Sequence, residues 1–87
     1  MTNDERPIAW LALENGTPVL DVNGDEIGKV SEVIADEQKD IFSGIRWRHG
    51  ILGSQHYVPA DMIDTLTADA VHLRLSADDA QRQEQPG

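Results

Sequence analysis

Asp21, Asn23, Asp25 and Glu32 stand at the first, third, fifth and twelfth places of a calcium-binding loop, a spacing that brings oxygen ligands round one cation. The match breaks at two points. The sixth place, where the sharp turn of such a loop wants glycine, is Glu26, and the flanking residues read as strands rather than helices. A tight hairpin with its polar residues in water accounts for the same letters, so no calcium site is expected. His49, His56 and His72 could offer imidazoles to zinc, but no cysteine and no His-x-Glu or His-Glu-x-x-His pattern accompanies them. No metal or other cofactor is expected. No serine or threonine has an activating neighbour, and neither a Gly-x-Ser-x-Gly elbow nor a phosphate-cradling glycine loop is present. Catalytic residues are therefore expected to be absent.

The remaining chemistry lies in Arg46, Trp47, Arg48 and His49, the one basic and aromatic cluster of an acidic chain. If Trp47 points inward, Arg46 and Arg48 project together from the outer face of their strand, with Lys29 on a neighbouring strand. That row is a candidate docking patch for carboxylates. The plainer alternative pairs these cations with the chain's own Asp and Glu, since exposed ion pairs are common and contribute only about 0–1 kcal/mol each.

Which elements position these residues follows from length and pattern. The chain has 87 residues, 39% of them hydrophobic, a net charge of −9 and no cysteine. This bounds it to one small domain with neither a disulfide framework nor a thiolate site. The acidity is spread along the chain, which repels polyanions, so nucleic-acid and anionic-membrane binding are not expected. The longest apolar run covers residues 8–13, too short for a membrane span, and the acidic start is unlike a secretory signal; a cytoplasmic location is expected. Residues 1–6 and 80–87 have almost nothing to bury and are expected to be mobile tails flanking a single domain over 7–79.

Pro7 and the Asn15-Gly16 stop predict a short helix over 7–16, with Ile8, Trp10, Leu11 and Leu13 as its apolar positions. Short β-rich runs follow. Strands are predicted over 17–21 and 26–34, joined at Asn23-Gly24, the strongest two-residue hairpin signal in the chain. Ile27, Val30 and Val33 are spaced by three, which a two-residue period cannot keep on one face, so Gly28 is predicted to supply a bulge. A third strand over 41–48 puts Ile41, Ser43, Ile45 and Trp47 on one face and Phe42, Gly44, Arg46 and Arg48 on the other. Further strands are predicted over 55–59, 64–67 and 70–75, with a helical turn over 60–63 and a hairpin at Ala68-Asp69. Ser76 caps a short C-terminal helix. About six short strands without crossover helices predict a mainly β fold, a small curved sheet closing into a barrel. His56 shares a face with Val58 and would line its mouth, where a contact could depend on pH.

Gly16-Thr17-Pro18-Val19, Asn23-Gly24-Asp25-Glu26-Ile27-Gly28-Lys29-Val30, Val58-Pro59-Ala60-Asp61-Met62-Ile63 and Val71-His72-Leu73 together resemble a PRC-barrel domain over residues 14–76. Asp40-Ile41-Phe42-Ser43-Gly44 further resembles short stand-alone bacterial members. The resemblance implies a β-barrel used as a protein-interaction module, known from the cytoplasmic domain of the photosynthetic reaction-centre H subunit and from a domain of a ribosome-maturation factor. It carries no catalytic residue over.

The function expected is thus a non-enzymatic interaction or adaptor module that self-associates as a homodimer or docks on a protein partner. A domain this small is marginal alone, and association is a usual remedy. Phe42, Ile51, Leu52 and Tyr57 are the apolar candidates for such a seam, alongside Arg46, Arg48 and His56; ordinary end-capping of the barrel is the equal alternative for the four apolar residues. A sensor of a cation or small molecule, using the barrel mouth and the acidic hairpin, is the second expectation.

Overall fold

Six strands assemble into one mixed sheet in the order β4-β3-β2-β1-β6-β5. They are β1 (Pro18–Leu20), β2 (Glu26–Asp36), β3 (Ile41–Arg48), β4 (Gln55–Pro59), β5 (Ile63–Leu66) and β6 (Val71–Leu73), followed by helix α1 (Ala77–Arg82). The computed structural model describes residues 10–36, 38, 39, 41–50 and 53–83. The expectations for Ile8, Asp40, Ile51 and Leu52, and for 1–6 and 84–87, lie outside these residues. Of the helix predicted over 7–16, the described part is a 3-10 turn, Trp10–Ala12. Leu13 closes it by donating its N–H to the Trp10 carbonyl at 3.1 Å.

All neighbouring strands are antiparallel except β1 and β6, where Val19 lies beside Val71 and Leu20 beside His72 in parallel. The sheet is an open row rather than a closed barrel: β4 and β5 are its edges, joined in sequence through the 3-10 turn Ala60–Met62. Both edges have features that oppose further pairing. Pro59 ends β4 without a backbone donor, and β5 carries an extra residue at Asp64, between the pairs Ile63–Leu73 and Thr65–His72.

The core lies where Val19, Ile45, Trp47, Val58 and Val71 are fully buried, with Leu13, Ile27, Val30, Leu73 and Ala80 around them. Ala80, assigned by composition to a tail, is held there by α1. The Ser76 side chain caps this helix as predicted, accepting the Asp79 N–H at 3.2 Å. Among the described residues no helix is long and apolar enough to cross a membrane.

Irregular pairing explains the three-residue spacing in β2, though Gly28 is not the inserted residue. Val19 pairs with Gly28 and Leu20 with Glu26, leaving Ile27 over; Val30 pairs with Trp47 and Glu32 with Arg46, leaving Ser31 over. Each three-residue step thus absorbs one extra residue. A third irregularity corrects the predicted faces of β3. Ile34 pairs with Gly44 and Ala35 with Phe42, so Ser43 is extra; Phe42 packs against the core while Ile41 is exposed.

Gly28 has a different duty. A Cβ at this position would stand 2.7 Å from Cε3 of the Trp47 indole and closer still to the Arg48 carbonyl oxygen. The missing side chain lets β2 lie flat against the tryptophan. Gly28→Ala should lower stability by about 1–3 kcal/mol, the usual effect of forcing one carbon into a packed core, as read by urea unfolding. A loss within error would show that β2 can move away from Trp47 freely.

Candidate functional site

The turn after β1 uses the first residue of the calcium-like spacing for its own backbone. Asp21 is buried, and its Oδ1 accepts the N–H groups of Asn23 at 2.9 Å and Asp25 at 3.0 Å. Its own N–H donates to the Asp25 carbonyl at 2.9 Å, and its carbonyl accepts from Gly24, whose φ of +88° suits glycine. The connection spans residues 21–25 rather than the two predicted at Asn23-Gly24, because the strand pairing ends at Leu20 and Glu26. The carboxylate is used to organise the turn.

The histidines are dispersed. His49 Nδ1 lies 3.0 Å from the Ile27 carbonyl, and His72 sits half-buried on β6. His56 is also half-buried and packs on Trp47, with ring centroids 4.7 Å apart and a 38° tilt. Among the described residues no group of three or more His, Cys, Asp or Glu side chains could hold a metal. Sequence position alone did not show that His56 contacts the inward tryptophan; the pairing of Trp47 with His56 across β3 and β4 places them together.

The apolar seam is altered as well. Tyr57 is buried and donates its hydroxyl to the Ser43 carbonyl at 3.0 Å, at the extra residue of β3. Phe42 is half-buried and stacks on Trp10, with centroids 6.0 Å apart and planes within 10°. Neither is an open hydrophobic contact. The large apolar side chains that are exposed among the described residues, Val22 and Ile41, sit in different elements.

The cation row is assembled as its sequence suggests. Lys29 lies directly opposite Arg48, and Glu32 opposite Arg46, across β2 and β3. Trp47 between the two arginines is fully buried, which turns both to the other face. Arg46 pairs with Glu32, and Lys29 with Glu26 at 3.4 Å, so the row carries carboxylates of its own. Lys29 and Glu26 are each more than half exposed, at 58% and 51%, and that pair is worth at most about 1 kcal/mol.

Beside the row, β2 and the turn after β3 enclose a cleft of about 540 Å³ lined by Glu26, Ile27, Lys29, Val30, Arg48 and His49. Its size is that of a small-ligand pocket. Sequence reading identified its cations but not the hollow, because the way the turn after β3 stands over residues 26–31 of β2 is not contained in either segment alone.

Asp21→Ala should cost about 1–2 kcal/mol, because it removes a capping acceptor from two backbone donors, while Asp21→Asn keeps the acceptor and part of the stability. Calcium should leave the melting temperature of the unaltered protein unchanged; a concentration-dependent rise would give the turn a ligand role.

No curated protein matches the chain. Residues 13–81 match the model of a protein family that takes in every strand and most of α1. The chain belongs to that family, DUF2171, described as an uncharacterized protein conserved in bacteria.

Proposed function

We propose that this protein is a non-enzymatic, cytoplasmic interaction module, similar in sequence to PRC-barrel domains but with its sheet left open, that docks through the outer face of β2 and β3. The observation that supports this reading is the concentration of Lys29, Arg46 and Arg48, three of the chain's seven Lys and Arg residues, in one row on that face. The exposed pair of Lys29 with Glu26 is weak enough to exchange for a partner's carboxylate. The edges offer less: β4 ends in proline and β5 is interrupted at Asp64, so docking by strand addition is disfavoured. A distinct protein suits the surface better than a second copy. Two chains of net charge −9 repel each other, and Tyr57 and Phe42 are engaged within the fold.

Arg46→Glu tests the reading, for it sets a second carboxylate opposite Glu32 while leaving the core untouched. The variant should unfold within about 1 kcal/mol of the parent and lose a cross-linked species that the parent forms in lysate of its source cells. Asp69→Lys, in the distant β5–β6 turn, should keep it. Light scattering identifies the partner as a second copy if the parent has a dimer's mass and Arg46→Glu a monomer's. Identical capture and mass for parent and Arg46→Glu would overturn the proposal.

A further inference from the structure

We infer that Asn23 is a site of non-enzymatic modification, where the folded chain converts an asparagine into an isoaspartyl or aspartyl residue, while Asn15 is protected. Both asparagines are followed by glycine, and both glycines have positive φ, +92° at Gly16 and +88° at Gly24. Glycine has no side chain to shield its backbone nitrogen, which can therefore reach the preceding carboxamide. Once the Gly24 nitrogen has given its proton to solvent base, it bonds to Cγ of Asn23. The Cγ–Nδ2 bond breaks, and Nδ2 leaves as ammonia with a proton taken from solvent. The cyclic imide that remains takes up one water. Opening at Cγ gives an aspartate in a normal chain; opening at the backbone carbonyl gives an isoaspartate, whose chain runs through the side chain. Either product puts a carboxylate where a neutral amide stood.

By sequence the two Asn-Gly pairs are equivalent, and they differ in where each glycine N–H is bound. Gly16 donates to the Val30 carbonyl at 2.7 Å, and the Val30 N–H donates to the Thr17 carbonyl at 2.9 Å. Val30 is a core residue of β2, only 3% exposed. Freeing the Gly16 nitrogen thus means parting residues 16 and 17 from the strand that carries the core. Gly24 instead donates at 2.9 Å to the Asp21 carbonyl, inside its own turn. Asn23, Gly24 and Asp25 are exposed, and the N–H groups of all three are held by Asp21. An opening confined to this turn releases the nitrogen and leaves the core in place, and such local openings cost less than global unfolding.

The product matters to the hairpin. An isoaspartate lengthens the chain between the two N–H groups that Asp21 Oδ1 accepts, and the new carboxylate stands close to that of Asp21. The modified chain is one charge more acidic and less stable. The inference concerns the β1–β2 turn alone and requires neither the cation row nor a partner.

Its test is incubation of the full chain at mildly alkaline pH below its melting temperature, with both asparagines followed by peptide mapping in a mass spectrometer. Asn23 should convert, and Asn15 at least about tenfold more slowly; in denaturant the two should convert at similar rates. Asn23→Ser should abolish the acidic species that accumulates. Asp21→Ala, which frees the turn, should speed conversion at Asn23 about five- to tenfold. If that variant does not fold, hydrogen exchange of the unaltered protein supplies the readout: the Gly24 amide should exchange at least about tenfold faster than that of Gly16, relative to the unfolded chain. Equal rates at the two asparagines in the folded chain, a faster Asn15, conversion of Asn23 only in denaturant, or equal protection of the two glycine amides would overturn the inference.

Discussion

Burial of the Trp47 indole is the constraint round which the other elements are arranged. The side chain is fully buried on β3, packs against the His56 ring from β4, and comes so close to β2 that only glycine fits at position 28. Its Nε1 is buried without a hydrogen-bond partner. An unsatisfied donor of this kind costs about 1–3 kcal/mol, whereas burying about 150–250 Å² of an aromatic side chain returns roughly 4–6 kcal/mol. The apolar term wins, so the indole remains inside despite its orphan donor. The alternation of β3 then turns Arg46 and Arg48 to the opposite face, and one packing decision sets both the core and the candidate interaction surface.

Extended segments were legible where local chemistry is unambiguous. Strands over 41–48 and 55–59 agree with β3 and β4 to the residue, and Ser76 does cap α1. Faces were less legible. The alternation read along 41–48 is correct for Ile45 and Trp47 but fails below them, because the extra Ser43 lets Phe42 reach the core and leaves Ile41 in water. Bulges are decided by what the partner strand presents, and a single sequence does not contain that pairing. Gly28 illustrates the same point: its role in β2 was read as insertion, whereas the demand comes from Trp47, nineteen positions away. The irregularity suggested by the spacing of Ile27, Val30 and Val33 is present as extra residues, but closure into a barrel is not, since the edge strands β4 and β5 do not pair with each other.

At the candidate site, residue types were legible and occupancy was not. Asp21 has the position of a calcium ligand, yet satisfying two backbone N–H groups fixes it in the turn. Tyr57 looked available for a seam, yet its hydroxyl serves the carbonyl left over at the Ser43 bulge. In both cases an unpaired backbone group claimed the side chain first. This is the expected order in a small fold, where leaving a buried donor or acceptor unmade costs about 1–3 kcal/mol, more than the roughly 0–1 kcal/mol that a surface ion pair gains.

The row of cations shows how an acidic chain can gather its few basic residues on one face. Net charge governs the approach of a distant ion, but beyond about 8 Å at physiological ionic strength the field of remote carboxylates is largely screened. On the row itself Lys29 is matched by Glu26 and Arg46 by Glu32. The remaining acids then act as a filter. They slow highly charged polyanions, which must cross a repulsive field at long range. The inward tryptophan between two arginines brings the cations to one face, and Glu26 and Glu32 on the neighbouring strand limit the charge they present there.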